Sequence, residues 1–134
     1  MARPASKLPT DGELEILRIL WAKDSCTLSE VCEALRQDRD VATTTVATML
    51  RVMLDKKLVK RKNAGRGYRW SAVVSQEKTA GNMLGKLVDG VFEGSAGRLV
   101  AHLVETEKLT EGELAELEAL VDAQRRKAKK GGKR

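Results

Sequence analysis

Residues 41–54 read VATTTVATMLRVML, and the way this stretch folds decides how the chain around it is read. Threonine is a mediocre helix former, because its branched Cβ restricts χ1 against the preceding turn. Three in a row, Thr43, Thr44 and Thr45, therefore need a reason beyond helix propensity. Yet Val46, Leu50 and Met53 fall at i, i+4 and i+7 and form one apolar stripe, the helical spacing. Thr44, Thr48, Arg51 and Asp55 form the opposite stripe. The pattern predicts an amphipathic helix over about residues 43–57, its hydroxyls at the N-terminus and on the face turned from the core.

Upstream, two more helices are signalled. Thr10 is a cap with Glu13 three residues on, the capping-box spacing, and Leu14, Leu17, Leu20 and Trp21 supply an apolar face. Thr27 and Glu30 repeat the box ahead of Leu28, Val31, Cys32 and Leu35. Downstream the period changes. LVKRK (58–62), the turn NAGRG (63–67) and YRWSAVV (68–74) predict a β-hairpin. From Ser75 the pattern is helical to about Phe92, again over residues 96–105 after a Gly94-Ser95 break, and again from a Thr110 cap with Glu113. RRKAKKGGKR (125–134) has no apolar periodicity and reads as disordered. The predicted fold class is mostly α with a small β-hairpin. A winged helix-turn-helix over 8–74 precedes a helical dimerisation domain over 75–124 and a basic disordered tail over 125–134.

The net charge of +6 over 134 residues is less informative than its distribution. Residues 51–70 carry eight basic side chains against Asp55 alone, a local charge of +7. Residues 99–122 carry seven acids against Lys108, and the last twelve residues carry seven bases and no acid. A basic middle, an acidic helical end and a basic tail favour a polyanion met at defined places. No apolar run approaches the ~20 residues that span a bilayer. The polar start MARPASKLPT lacks a signal-peptide core, so a cytoplasmic protein with no membrane partner is expected. Cys26 and Cys32 suggest no disulfide framework, and one histidine without a C-x-x-C gives no support for a metal or cofactor. No nucleophile, base and orienter stand in an evident set, so no catalytic residue is assigned and no enzyme is expected.

Three helices and a hairpin are the element order of a winged helix-turn-helix, whose third helix enters a DNA major groove. Threonine suits that surface: its hydroxyl bonds a phosphate or base edge, and its methyl packs on the thymine methyl. The helix N-terminus adds free N–H groups for phosphate. Thr43, Thr44, Thr45, Thr48 and Arg51 are the candidate contacts. Taken alone, the run fits equally well with Thr43 as a simple N-cap and the others as a solvated face. The hairpin shifts the balance, with Arg66 at a glycine-flanked tip and Lys60, Lys62 and Arg69 placed for phosphates. The reading that stays open beside DNA binding is a winged-helix module that docks a protein partner and has no specific DNA target.

The later helices carry more apolar surface than a small winged domain covers: Leu84, Leu87, Val88 and Val91, then Leu99 and Leu103, then Leu114, Leu117 and Val121. Burial in a homodimer is expected, since these stripes exceed what one small domain covers; folding back onto a monomeric core is the alternative. Among the residues that tempt, His102 is read as structural, Cys32 as a buried thiol, and Cys26, just ahead of a cap, as exposed. Trp21 and Trp70 are read as packing.

LPTDGELEILRILW resembles the opening helix of the penicillinase-repressor family (BlaI/MecI/CopY type). TTTVATMLRVMLDKKLVKRKNAGRGYRWSAVVS is similar to that family's recognition helix and wing, and LVDGVFEGSAGRLVAHLVETEKLTEGELAELEALVD to its dimerisation helices. The resemblance runs in order and without gaps from about Leu8 to Asp122. It implies a dimeric winged-helix repressor with intertwined C-terminal helices, bound to dyad-symmetric operators at resistance or stress genes, often with TACA/TGTA half-sites. It also implies release by a sensor-linked protease cutting in the dimerisation helices, or by metal in the copper-responsive branch. Three departures stand out. Thr44 occupies a position where many members have lysine, so a different operator is expected. The Asn-Phe bond cut in the β-lactam-responsive members corresponds to His102-Leu103. The copper branch's cysteine pairs are absent after Val121, so copper or zinc sensing is not expected.

Overall fold

Both N-terminal capping boxes close as their spacing requires. In the structure, a computed structural model that describes residues 8–106 and 108–131, helix α1 (Asp11–Lys23) starts at Thr10. The Glu13 N–H donates to Thr10 Oγ1 at 3.2 Å, and the Thr10 N–H donates to the Glu13 carboxylate at 3.0 Å. Thr27 and Glu30 make the same pair of bonds, at 3.1 and 2.9 Å, ahead of α2 (Leu28–Leu35). The third helix, α3 (Thr43–Asp55), leads into strands β2 (Val59–Ala64) and β3 (Gly67–Ala72). A further strand, β1 (Cys26–Thr27), joins the hairpin to make an antiparallel sheet of order β1-β3-β2, with Cys26 opposite Trp70. That pairing corrects the reading of Cys26: it is fully buried, not exposed. Two residues are too few to show a strand period, so only the distant partner strand reveals them.

The core of this part is aliphatic, as few aromatics require. Ile16, Leu17 and Leu20 of α1 meet Val31, Cys32 and Leu35 of α2, and Val46, Leu50 and Met53 of α3, over Leu58, Val59 and Trp70 of the hairpin. Two polar ties cross the core's edge. Trp21 Nε1 donates to the Val74 carbonyl at 2.9 Å, pinning α1 to the end of the hairpin. Lys56 Nζ donates to the Glu13 carboxylate at 2.7 Å, with both side chains largely buried. The exit from α3 is a Schellman turn. The Leu58 N–H reaches back to Met53 O at 2.9 Å and the Lys57 N–H to Leu54 O at 3.1 Å. Lys57 takes the left-handed position of that turn, φ 66°, usually given to glycine.

Beyond the hairpin come α4 (Gln76–Gly90), α5 (Ala96–Glu105) and α6 (Glu111–Gly131). The chain divides into two compact units, up to Gly85 and from Lys86, so the division falls inside α4. In the second unit Ser95 caps α5, its Oγ accepting from the Arg98 N–H at 3.1 Å. Thr110 and Glu113 form a third capping box, at 3.0 and 3.1 Å. The Phe92 ring lies 5.9 Å from the exposed His102 ring. Helix α6 corrects the reading of the tail, since it continues through 125–131 where disorder was expected. Arg, Lys and Ala are strong helix formers and extend a helix already nucleated upstream, with no apolar stripe needed. Cations at its C-terminal end also complement the helix dipole. Residues 132–134 of that tail lie outside the described residues.

Most of the residues assigned to dimerisation are left uncovered by their own chain. Leu84, Leu87, Val91, Leu103, Leu114 and Val121 are exposed, Val91 to 63%, while Val88, Leu99 and Leu117 are half-buried. No helix among the described residues is long and apolar enough to cross a membrane.

Candidate nucleic-acid interface

The N-terminus of α3 is built to stay open. Its N-cap is Ala42, no side chain caps it, and its first turn carries no acid. The first turns of α1, α2, α4 and α6 all carry acids. The first helical bond runs from the Val46 N–H to Ala42 O at 3.2 Å, so helix geometry leaves the preceding amides facing outward. Thr43 is therefore not the cap. Its Oγ1 accepts from Arg36 Nη2 at 2.8 Å, while Arg36 Nε donates to Val41 O at 3.0 Å. Arg36, at the end of α2, thus fixes the turn into α3. Thr44, Thr45, Thr48 and Arg51 are exposed, because Val46, Leu50 and Met53 on the other side are fully buried.

Strand register sorts the hairpin's cations onto two faces. Lys60 pairs with Ser71 and Lys62 with Arg69 on one face, while Arg61 pairs with Trp70 and Asn63 with Tyr68 on the other. Gly65 and Arg66 form the two-residue tip. A φ of 71° at Gly65 and no positive φ at Arg66 are the signs of a type II′ turn, which needs glycine first. Arg66 is exposed there, as are Lys60 and Lys62. Arg69 is placed differently from its assigned role. Its guanidinium donates to Ser25 Oγ at 3.0 Å and Ser25 O at 3.1 Å, and pairs with Glu30 at 3.3 Å. Arg69 ties β3 to the start of α2 and reaches a phosphate only by leaving those partners.

Between α3 and the wing lies an open groove of ≈ 640 Å³. Arg36, Arg51, Arg61, Arg66, Thr43 and Tyr68 line its walls, Leu28, Cys32, Leu50 and Trp70 its floor, and no carboxylate takes part. Arg61 was missed by sequence reasoning as a site residue. Its guanidinium lies 4.1 Å from the Tyr68 ring centroid and 5.5 Å from that of Trp70, a cation–π pairing that orients the charge without cancelling it. The signal was present: in an alternating strand Arg61 must face opposite to Lys60 and Lys62. The basic segment thus splits by role. Lys56 and Arg69 are paired with Glu13 and Glu30, whereas Arg51, Lys57, Lys60, Arg61, Lys62 and Arg66 form no ion pair among the described residues.

Two titrating groups lie beside this site. The Glu30 carboxyl is held below its ordinary range, first by the Thr27 backbone N–H and further by the Arg69 charge. Burial pushes the Cys26 thiol up, with the Glu30 charge adding to it, so Cys26 stays protonated and unreactive.

The comparison with known proteins decides what carries this groove. A family model described as penicillinase repressor matches residues 9–123. The chain belongs to the penicillinase repressor family. It is accordingly a DNA-binding transcriptional repressor. The transcriptional regulator BlaI of Mycobacterium tuberculosis is 34% identical over 123 residues, covering 85% of this chain and 89% of that protein. The methicillin resistance regulatory protein MecI of Mammaliicoccus sciuri is 25% identical over 117 residues, covering 84% and 92%. Among solved structures, apo MarR from E. coli aligns with a TM-score of 0.50 at 20% identity, over 85% of this chain and 76% of that one. That likeness bears on the winged-helix fold alone.

Proposed function

We propose that this penicillinase-repressor family member acts as a cytoplasmic homodimer on dyad-symmetric operator DNA at promoters of resistance or stress genes. The observation that carries the reading is the groove between α3 and the wing, where four arginines meet and no carboxylate does. A cleft of one charge sign attracts and orients a polyanion. Thr44, Thr45, Thr48 and Arg51 then meet base edges from the exposed side of α3, with Thr43 held by Arg36 at the helix start. Lys60, Lys62, Arg61 and Arg66 neutralise phosphates along the wing, which adds affinity without sequence choice. Arg69 serves this surface by positioning β3 against α2.

Two heads on one operator require a shared body. The uncovered stripes of α4–α6, from Leu84 to Val121, supply one in a second copy of the chain. The name of the MecI relative supports the resistance setting. For release, the His102-Leu103 bond lies within α5, so a sensor-linked protease has to open that helix before cutting it.

The test is selection of bound duplexes from a random DNA pool, then titration of the winner at two salt concentrations. An inverted repeat bound by two chains, far tighter than random DNA, is the expected result. Uniform weak binding that vanishes with modest salt would overturn specific recognition and favour docking to a protein partner instead.

A further inference from the structure

The turn between α2 and α3 carries two arginines that are used in opposite ways. Arg39 pairs with Glu15 of α1. Arg36 pairs with no carboxylate among the described residues, although Asp38 and Asp40 stand in the same turn. Its guanidinium instead meets two uncharged oxygens, Nε donating to Val41 O at 3.0 Å and Nη2 to Thr43 Oγ1 at 2.8 Å. Those two nitrogens form one edge of the planar group, so the edge between Nη1 and Nη2 keeps its donors. The charge is likewise uncancelled, and Arg36 lines the groove together with Arg51, Arg61 and Arg66. A guanidinium cannot accept a hydrogen bond, so Thr43 Oγ1 is the acceptor in this pair. The hydroxyl's own hydrogen is thereby turned away from Arg36, and among the described residues no protein oxygen receives it. Thr43 is exposed and lines the same groove.

We infer that Arg36 and Thr43 act as one reading unit on operator DNA: Arg36 fixes the Thr43 hydroxyl as a donor, and the pair recognises a hydrogen-bond acceptor. A lone threonine hydroxyl rotates to suit a donor or an acceptor, and so discriminates poorly between them. Held by a cation on one side, it presents its hydrogen on the other. The adjacent positive charge also disfavours an amino group placed opposite. The acceptors that duplex DNA offers are phosphate oxygens, purine N7, guanine O6 and thymine O4, while the amino groups of adenine and cytosine are donors. The remaining guanidinium edge has the fork that suits the same acceptors, and the bonds to Val41 and Thr43 fix the plane in which it lies. This assignment rests on the α3 contact proposed above and gives one of its threonines a direction.

The test uses the full chain and the duplex it selects from a random pool, titrated with Arg36→Ala, Thr43→Val and the double variant. Thr43→Val keeps the branched shape and drops the hydroxyl, and is expected to weaken operator binding roughly tenfold. Arg36→Ala is expected to weaken it at least as much. The double variant should lose no more than Arg36→Ala alone, because Thr43 loses its direction along with its partner. Thr43→Ser, which keeps the hydroxyl, restores binding close to wild type. Repeating the selection with Thr43→Val locates the acceptor. A changed preference at one base pair marks a base edge, whereas an equal loss on random duplexes at unchanged preference marks a phosphate. If Arg36→Ala does not fold, Thr43→Val against Thr43→Ser still decides, since both leave the guanidinium in place. Wild-type affinity in Thr43→Val, or single losses that simply add in the double variant, overturns the reading unit and leaves Arg36 a brace for the turn. A wild-type chain that selects no duplex overturns specific recognition itself, and this assignment with it.

Discussion

The guanidinium of Arg61 is held at 4.1 Å from the Tyr68 ring by an attraction that leaves its charge available to the groove. At this partly exposed site the pairing is worth about 0.5–1 kcal/mol. Tyr68→Ala is therefore expected to lower operator affinity by roughly two- to fivefold through Arg61, with the loss absent in an Arg61→Ala background; a four-way titration measures it. Arg66, at the hairpin tip, should behave differently from Thr44, on the exposed face of α3. Arg66→Ala weakens operator and random DNA alike and reduces the log–log salt slope by about 0.9. Thr44→Ala changes which base is preferred beneath it and leaves the salt slope unchanged, which a repeated selection from random duplexes reads out. Arg66, Lys60 and Lys62 were legible in the sequence because their neighbours along the chain set their exposure. Lys56 and Arg69 were not, because the partners that engage them, Glu13 and Glu30, lie 43 and 39 residues away.

At the scale of elements, the Glu13–Lys56 pair locks the start of α1 to the end of α3, the helix that carries the threonines. Removing one partner leaves the other charge buried and unpaired, which costs about 3 kcal/mol or more. Glu13→Gln should lower the urea midpoint accordingly, with DNA affinity at saturating stability little changed. The start of α2 carries a pH signature. Glu30 is held below its ordinary value by the Thr27 N–H and Arg69, so the folded state keeps the carboxylate charged more readily than the unfolded chain does. Its stabilisation is present above the ordinary value of 4.5 and is lost as pH falls through the lower folded value. Glu30→Gln is expected to flatten that part of the acid limb in a stability–pH series, and to leave stability above about pH 6 with little pH dependence from this site. The capped helices were readable because each box is a local three-residue spacing. Strand β1 was not, since its hydrogen bonds are made to β3, with Cys26 opposite Trp70.

At the scale of the whole molecule, α4, α5 and α6 each leave apolar side chains uncovered, with Leu84 at 50% and Leu87 at 42% exposure on α4. A charge placed in a buried subunit interface is not tolerated without a partner. In the proposed dimer, Leu87→Asp should therefore shift the chain to monomer in sedimentation. Operator affinity should then fall by about a hundredfold or more, because two linked heads bind with an effective concentration that single heads lack. The thermal transition of the winged unit should survive, since Ile16, Leu50 and Trp70 form its core without that helix.

The sequence alone determined the element types and their order, because periodicity, capping boxes and a glycine turn are local and the backbone obeys them locally. It also determined the family, the open threonine face of α3 and the basic wing. Only the tertiary structure decided which cations remain available and which are tied to carboxylates, where Arg61 points, and that Cys26 is buried in a strand. Those outcomes depend on residues far apart in the chain meeting across a core, and no spacing along the chain encodes such a meeting. The helical reach of α6 to Gly131 belongs between the two: its propensity was in the sequence, but the turn at Thr110 had to nucleate it.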